Sequence, residues 1–285
     1  MLGKLFPIIA AAIVVLAGCT PQIRQPSEIC PGKATVAEAL AALQSHSQNI
    51  VPMRANGQCR LEYYLEEKKE PQRENFDVRL WVNPPLEIYL QGNKALVPKA
   101  IVLGSNEREF WLSIKPKEIS THWWGNWAEQ DLSKGLLINP RTLLESLGIE
   151  EVKTQRNWSL SNEGPYDIIA KKQDGVIIKK IYIYCCDYRV RKIEFFDRDG
   201  QAVADAELGN YKEVSDGFSI PSLIIIKTYT RETREAPLSI TLFLKSIKPA
   251  TITELRRKVL FGLPTPRGFK HIYRVVNGKW FEESQ

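Results

Sequence analysis

The chain has 285 residues, of which 44% are hydrophobic and 25% charged, a composition typical of a globular protein that buries a sizeable core. Its formal net charge is +6, and no dense block of lysine and arginine accounts for it. Such a balance gives little support to nucleic-acid binding and leaves anionic lipid headgroups as candidate partners. The length fits one large β domain or two small ones.

Residues 1–18 are organised like an export signal. Lys4 supplies a positive charge, and the apolar run 5–16 that follows is too short to span a bilayer. The signal ends in Leu-Ala-Gly before Cys19, which resembles the lipobox cut by the lipoprotein signal peptidase. We therefore predict cleavage before Cys19 and a lipid anchor on that cysteine. The alternative is a chance apolar N-terminus with a buried cysteine.

Residues 19–32 are polar, contain three prolines and show no hydrophobic period, which predicts a tether ahead of one domain at 33–285. Thr20 follows the lipidation site in place of the acidic residue that marks inner-membrane retention in some bacteria. The predicted location is therefore the bacterial cell envelope, on the outer membrane facing the periplasm.

Lipidation of Cys19 would leave four cysteines in the exported chain, and an even number in an oxidising compartment permits disulfides. The favoured pairing joins Cys30 to Cys59, because it would pin the tether onto the first strand. For the adjacent Cys185 and Cys186, a vicinal disulfide, a soft-metal site and two free thiols all remain open. Two free thiols on opposite sides of a strand is the favoured interpretation.

Helix signals occur at three places. Thr35 and Glu38 form a capping-box pattern ahead of apolar residues at helical spacing, which predicts a helix from 35 to about 49. Asn139-Pro140 opens a short helix near 140–147 that Gly148 closes. A further helical turn is expected at 251–259, and these three helical segments are expected to cover the sheet as its lid.

Elsewhere the hydrophobic period is two, which predicts strands joined by short turns. The predicted strands are 59–65, 76–82, 86–90, 97–103, 110–114, 152, 158–160, 166–170, 176–184, 189–196, 201–211, 223–229 and 238–247. The segment 197–200 predicts a hairpin turn, since a calcium-loop interpretation lacks the remaining ligands. So many strands with so few helices predict a mainly β protein built on one large antiparallel sheet that must curl.

The sequence contains none of the familiar catalytic motifs. It lacks a GxSxG elbow, a phosphate-binding glycine loop, a GxGxxG turn and a CxxC pair. His46, His122 and His271 are scattered without metal-ligand spacing. We predict a non-enzymatic protein with no cofactor and no metal; a hydrolase that uses inconspicuous carboxylates is the alternative.

Several segments together resemble the LolA/LolB family of periplasmic lipoprotein carriers and receptors, over residues 35–269. They are Arg54-Ala55 after the first helix, the segment 80–86 (Leu-Trp-Val-Asn-Pro-Pro-Leu), the hairpin 103–112, and the closing segment 261–268. The predicted lipobox makes the chain similar to LolB, which is lipid-anchored in the outer membrane, rather than to soluble LolA.

The resemblance implies an open, strongly curved antiparallel half-barrel, with helices across its mouth as a lid and an apolar concave face that holds acyl chains. A curved sheet too wide to be filled by its own side chains leaves such a lumen. The candidate cavity residues are Leu80, Val82, Ile88, Leu90, Ile101, Leu103, Trp111, Ile181 and Ile183. The period of two also assigns Ile177, Leu223 and Ile225 to this face.

The chain departs from LolA at Asn83 and Pro84, where LolA carries a basic residue ahead of its proline. The nearest candidate for the exposed hydrophobic loop of LolB is Leu96-Val97, for which the start of a strand is the favoured alternative. The tryptophans within 123–127 suit a cavity mouth or a membrane interface, and equally an ordinary core.

Two functions follow as hypotheses. The first is a lipid-anchored, monomeric envelope protein that binds acyl chains of lipoproteins or other lipids, in lipoprotein localisation or lipid transfer. The second is a structural or assembly lipoprotein of the outer membrane, in which the sheet serves as a scaffold.

Overall fold

A computed structural model of the chain describes residues 23, 26–46, 49–64, 70–116, 119–129, 139–149, 156–229, 238–277 and 279–283. The predicted signal peptide, Cys19 and the strand expected at 152 lie outside the described residues. No described helix is long and apolar enough to cross a membrane.

The described residues form fifteen strands, three α-helices and one turn of 3-10 helix at Trp127–Glu129. The helices are α1 (Val36–Ser45), α2 (Pro140–Ser146) and α3 (Glu254–Phe261). The strands are β1 (Met53–Tyr63), β2 (Gln72–Asn83), β3 (Glu87–Lys94), β4 (Val97–Ser105), β5 (Glu109–Ile114), β6 (Thr121–Asn126), β7 (Trp158–Glu163), β8 (Tyr166–Gln173), β9 (Val176–Tyr184), β10 (Val190–Phe196), β11 (Ala202–Ser215), β12 (Phe218–Thr228), β13 (Leu238–Pro249), β14 (His271–Val276) and β15 (Lys279–Glu282).

All of these strands belong to one sheet, in the order β15-β14-β6-β5-β4-β3-β2-β1-β13-β12-β11-β10-β9-β8-β7. The sheet does not close, so β15 and β7 are its edges. The predicted mainly β, open, single-sheet architecture is confirmed. One pairing differs from the prediction, because β14 runs parallel to β6. The long connection from β13 through α3 brings β14 to that edge in the parallel direction.

The helix signals correspond to real helices. Thr35 and Glu38 form both hydrogen bonds of the capping box, and α1 ends at Ser45 rather than near 49. Asn139 caps α2, and Gly148 follows it with a φ of +76°, the left-handed conformation that glycine adopts most easily. The segment 197–200 is the expected hairpin turn, in which the Asp197 side chain accepts hydrogen bonds from the amides of Asp199 and Gln201.

Strand alternation directs one set of apolar side chains into a single large core. We call the face of the sheet that carries these side chains the concave face. On β2, Leu80 and Val82 belong to the core, while Arg79 and Trp81, which alternate with them, do not. Both α1 and α2 contribute to this core, through residues such as Leu40 and Leu144. We call α1 and α2 the lid helices, because they cover the concave face.

The third helix lies on the opposite face, which corrects the expectation that the turn at 251–259 contributes to the lid. Its Arg257 forms an ion pair with Glu87, which alternates with core residue Ile88 on β3. Its Arg256 lies 5.1 Å from the ring centroid of Trp81, which also faces away from the core. The lid over the concave face is therefore smaller than the sequence suggested.

Candidate functional site: the concave face and its lid

Eight of the nine candidate cavity residues come together on the concave face. All eight are members of one hydrophobic cluster, and each is at most 4% exposed. They are Leu80, Val82, Ile88, Leu90, Ile101, Leu103, Ile181 and Ile183. Cross-strand pairs such as Leu80 with Leu90 and Leu90 with Leu103 align them in rows across β2, β3 and β4.

The ninth candidate, Trp111, lies on the opposite face of the sheet, which corrects its assignment to the cavity. It pairs with Gly104, whereas its neighbour Leu112 pairs with the core residue Leu103. The indole ring covers Gly104 so closely that a Cβ there would lie 2.3 Å from a ring carbon. Trp111 is fully buried. Since it lies on the outer face, its burial shows that this part of the outer face is also shielded from solvent.

Leu223 and Ile225 were also assigned to the wrong face. The core residues of β12 are Phe218, Ile220, Ile224 and Ile226, so the two expected residues point the other way. The run from Leu223 to Ile226 is apolar at every position. A continuous apolar run carries no period from which a face can be chosen.

A charged pair fixes α2 inside the concave face. The ammonium of Lys179 on β9 lies 2.8 Å from a carboxylate oxygen of Glu145 on α2, and the lysine side chain is 6% exposed. The same ammonium lies 5.5 Å from the ring centroid of Phe195 on β10. Lys179 pairs with Phe195 in the register and alternates with Ile181, so it belongs to the apolar face of β9. Sequence reasoning missed it, although a lysine at a core position of a period-two strand was the available signal.

One helical turn earlier, Arg141 of α2 reaches the opposite wall of the half-barrel. Its guanidinium carbon lies 4.1 Å from the ring centroid of Trp127, just after β6. Burial lowers the pKa of Arg141, and the nearby Glu145 carboxylate raises it in part. A helix of seven residues thus contacts strands that are ten positions apart in the sheet order. A flat sheet would separate those strands by about 48 Å, so the sheet must curve strongly.

The N-terminal segment is held by a different disulfide from the one predicted. Cys30 is bonded to Cys186, while Cys59 is a buried free thiol on β1, so the predicted Cys30–Cys59 pairing is wrong. The Cys59 side chain points into the core on the concave face, as the side chain of Leu61 does, and is therefore not available to Cys30 in the N-terminal segment. The interpretation of Cys185 and Cys186 as two free thiols is also wrong, since only Cys185 is free.

Next to this disulfide, Asp167 anchors the start of α1. Its buried carboxylate accepts hydrogen bonds from the amide of Lys33 at 2.9 Å and the hydroxyl of Tyr188 at 3.2 Å. The Cys185 thiol lies 3.4 Å from the same carboxylate, and burial, with the Asp167 contact as the smaller cause, raises the pKa of that thiol to about 11. Cys185 is therefore a neutral thiol at physiological pH. The segment ahead of the lid helix α1 is thus tied to β8 and to the turn between β9 and β10.

The same corner holds the one cluster of metal-ligand atom types among the described residues. Glu28, Cys30 and Cys186 bring their ligand atoms within 4.8 Å of one another. Because the two sulfurs are bonded to each other, they are not available as thiolate ligands. With the disulfide formed, the cluster holds the N-terminal segment against the turn after β9 and does not offer a thiolate metal site.

The tryptophans near 123–127 serve packing on different faces. Trp123 is buried on the core side against Tyr273, at a centroid distance of 6.3 Å. Trp124 faces the other way and donates to Glu283. Trp127 packs on Phe110 and on Arg141 of the lid. Trp123 and Trp127 are thus core residues, and Trp127 contacts Arg141 of the lid helix α2; Trp124 lies on the outer face.

The segment Leu96-Val97 is both an exposed apolar turn and the start of a strand. Leu96 occupies the turn between β3 and β4 and is 94% exposed. Val97 is the first residue of β4, as the alternative expected. The turn therefore presents one apolar side chain to solvent directly ahead of a strand.

A serine–histidine pair lies on the outer face, away from the concave face. Ser113 Oγ and His122 Nδ1 are 2.7 Å apart, and both residues are buried, with the Phe269 ring against the imidazole. Burial lowers the pKa of His122 to about 4. The pair is covered by the segment that links α3 to β14, so solvent and substrate do not reach it.

With this geometry in place, the architecture can be compared with known proteins. No family model matches the chain, and no curated protein matches it in sequence. A structure described as a putative outer membrane lipoprotein-sorting protein domain from Vibrio parahaemolyticus is similar, with a TM-score of 0.52 and 10% identity over 78% of this chain and 95% of that one. A LolA superfamily protein from Nitrosomonas europaea gives a TM-score of 0.49 and 8% identity over 78% of this chain and 97% of that one.

The likeness to the Vibrio domain concerns the fold, because the identity is only 10%. Together with the open sheet and the helices on its concave face, it defines the architecture. The chain shares the fold of that domain, and this fold is the open single sheet with few helices that the sequence predicted.

Proposed function

We propose that the protein is a lipid-anchored, non-enzymatic protein of the bacterial envelope that binds acyl chains of lipoproteins or other lipids on its concave face. Its role would be lipoprotein localisation or lipid transfer. The similar Vibrio domain is described as part of a lipoprotein-sorting protein, which is consistent with this role.

One observation carries the proposal: among the residues that the structure describes, a very large apolar concave face is covered by two short helices. The core cluster takes side chains from strands across nearly the whole sheet, while the lid helices have only 10 and 7 residues. Displacing a cover this small exposes a wide apolar surface. An acyl chain that replaces it would gain about 0.8 kcal/mol for each buried methylene.

The cysteines support the proposed compartment. A disulfide between Cys30 and Cys186 is expected to persist outside the reducing cytoplasm. The disulfide joins the tether to the sheet eleven residues after the proposed lipid anchor at Cys19. The domain would therefore stay close to the membrane surface.

Close packing of the same face favours the second candidate, a scaffolding lipoprotein. The eight candidate residues are at most 4% exposed under the lid helices, which also suits a filled core without a ligand. The two functions differ in what must happen to the lid. Only a carrier has to exchange lid contacts for contacts with an acyl chain.

The deciding experiment is native mass spectrometry of the protein purified from membranes, followed by titration of delipidated protein with a fluorescent fatty acid. The carrier function predicts co-purified lipid and saturable uptake of the fatty acid. A folded, lipid-free protein that shows no saturable uptake would be a scaffold.

A further inference from the structure

The helix α3 has a surface that neither proposed function uses. It lies on the outer face of the sheet, and within the helix only Phe261 is buried. Leu255 is 76% exposed and Val259 is 73% exposed. Large apolar side chains that are this exposed and adjacent on a helix are a marker of an interaction surface.

The sides of α3 are sharply divided. Residues four apart lie on the same side of a helix, so Leu255 and Val259 form one apolar ridge. Arg256 and Lys258 lie about 80° to either side of this ridge, and both are exposed. The opposite side faces the protein, where Arg257 binds Glu87 at 2.7 Å and Phe261 is buried.

Positive charge is concentrated in α3 and in the segment that follows it. The segment 251–270 carries five basic side chains (Arg256, Arg257, Lys258, Arg267 and Lys270) and one acidic side chain, Glu254. These few residues hold most of the formal net charge of +6. An apolar ridge with cations on both flanks is the pattern of a helix that lies in the headgroup region of a membrane. The cations are attracted to anionic lipids while the apolar side chains insert between them.

Another protein is a poorer match for this surface. A protein partner for so small a ridge would have to supply acidic groups on both flanks, whereas an anionic bilayer offers negative charge in every direction. Arg256 is also held in place by the face of Trp81 and by the carbonyl of Thr251, so one flanking charge is fixed beside the ridge.

We propose that α3 is a membrane-docking element, whose Leu255 and Val259 insert into a bilayer surface that contains anionic phospholipid. Arg256 and Lys258 bind the headgroups. Attachment through α3 would fix the orientation of the domain relative to the bilayer surface. This inference does not depend on acyl binding by the concave face.

Hydrogen–deuterium exchange of the full chain on vesicles tests the proposal. One set of vesicles contains phosphatidylcholine alone, and the other contains phosphatidylcholine mixed with phosphatidylglycerol. Because any N-terminal attachment acts on both sets, a difference within residues 252–262 reports on α3 itself. We expect amide exchange there to slow about tenfold on the anionic vesicles relative to the neutral ones.

Two double variants separate the contributions. Leu255→Ser with Val259→Ser removes the ridge, and Arg256→Gln with Lys258→Gln removes the flanking charges; each should abolish the slowing on anionic vesicles. Phe281→Ser is the matched control, since Phe281 is 51% exposed on β15, away from α3, and it should leave the slowing intact.

The proposal is overturned if residues 252–262 exchange equally fast on both kinds of vesicle, or if the double variants behave like the wild type. It is also overturned if exchange slows without vesicles as the protein concentration rises, because the ridge would then bind a second copy of the chain. Fatty-acid uptake is measured on the same samples, so failure of the carrier function is recorded separately.

Discussion

The ammonium of Lys179 and the carboxylate of Glu145 lie 2.8 Å apart, with the ring of Phe195 beside the ammonium and Arg141 one helical turn away from Glu145. The pair joins a wall strand of the half-barrel to the lid helix α2. Any ligand that replaces α2 on the concave face must separate these two charges or supply another partner for the lysine. The pair therefore sets part of the free-energy difference between the closed and open lid.

Removing one member of this pair should destabilise the protein more than removing both. Glu145→Gln leaves the ammonium of Lys179 buried without its counter-charge, and we expect the free energy of unfolding to fall by about 3 kcal/mol. Urea denaturation, followed by circular dichroism, measures this change. The double replacement Glu145→Leu with Lys179→Met should recover most of the loss, because it places apolar groups in an apolar site. A double variant less stable than Glu145→Gln would contradict this account.

The second prediction concerns the contribution of the Cys30–Cys186 disulfide to the free energy of unfolding. Cys30 and Cys186 are 156 residues apart in sequence, so their bond closes a long loop in the unfolded chain. Cys30→Ser should lower the free energy of unfolding by up to about 5 kcal/mol. Cys185→Ser is the matched control, because it changes the neighbouring free thiol and leaves the bond intact. Non-reducing peptide mapping that recovers a Cys30–Cys59 peptide would show that the assignment is incorrect.

The period of two, which is a local property of the chain, predicted most of the strands and most of the concave face, and capping residues predicted the helices. The edge strand β15 and strand β6 were not among the predicted strands. Leu80 and Val82 alternate with more polar neighbours, so their face could be chosen without knowledge of the fold. Leu223 and Ile225 lie in a continuous apolar run, which hides the alternation. The assignment of Trp111 to the cavity was wrong for another reason. Its apolar ring is buried on the outer face near Gly104, so apolar character alone did not identify the concave face.

The disulfide and the charged lid contact could not be derived from local pattern. Cys30 lies in a segment without periodicity, and which cysteine it meets depends on where the chain end crosses the sheet. Lys179 was visible as an irregular position on β9, but its partner Glu145 is supplied by a helix distant in sequence. Both depend on the curvature of the whole sheet, which is a property of tertiary structure.

The buried imidazole on the outer face predicts a pH dependence. Burial lowers the pKa of His122 from 6.5 to about 4. Between these values the unfolded chain binds the proton that the folded chain excludes, so the contribution of His122 to stability is lost as the pH falls. The loss between pH 6.5 and pH 4 should be about 3 kcal/mol. Thermal or urea unfolding at several pH values measures it.

Carboxylates also titrate in this range, so the contribution of His122 is isolated by comparison with a variant. His122→Phe should be less stable than the wild type at pH 7, because the contact with Ser113 is lost, but its stability should fall by about 3 kcal/mol less between pH 6.5 and pH 4. His271→Phe is the control, since the side chain of His271 is 48% exposed. An identical pH profile for His122→Phe and the wild type would refute the interpretation.

The lipid anchor is tested by changing its attachment residue. Cys19→Ala removes the only thiol of the Leu-Ala-Gly-Cys segment, so the precursor should remain uncleaved and carry no lipid. Labelling with radioactive palmitate and fractionation of the envelope measure both effects. Unchanged processing and unchanged lipid labelling in Cys19→Ala would mean that the anchor is elsewhere or absent.

The last prediction concerns acyl binding on the concave face. Leu90 lies in the centre of that face and is 4% exposed, so Leu90→Glu places a charge where an acyl chain would lie and should abolish uptake of a fluorescent fatty acid. Leu90→Phe keeps the site apolar but fills part of it, and we expect roughly tenfold weaker uptake from the loss of about two methylene contacts. Arg79→Glu is the matched control, since Arg79 lies on β2 beside Leu80 but faces solvent. Circular dichroism confirms that each variant is folded before it is assayed. If Leu90→Phe takes up the fatty acid as strongly as the wild type while both remain folded, the acyl chain binds elsewhere on the protein.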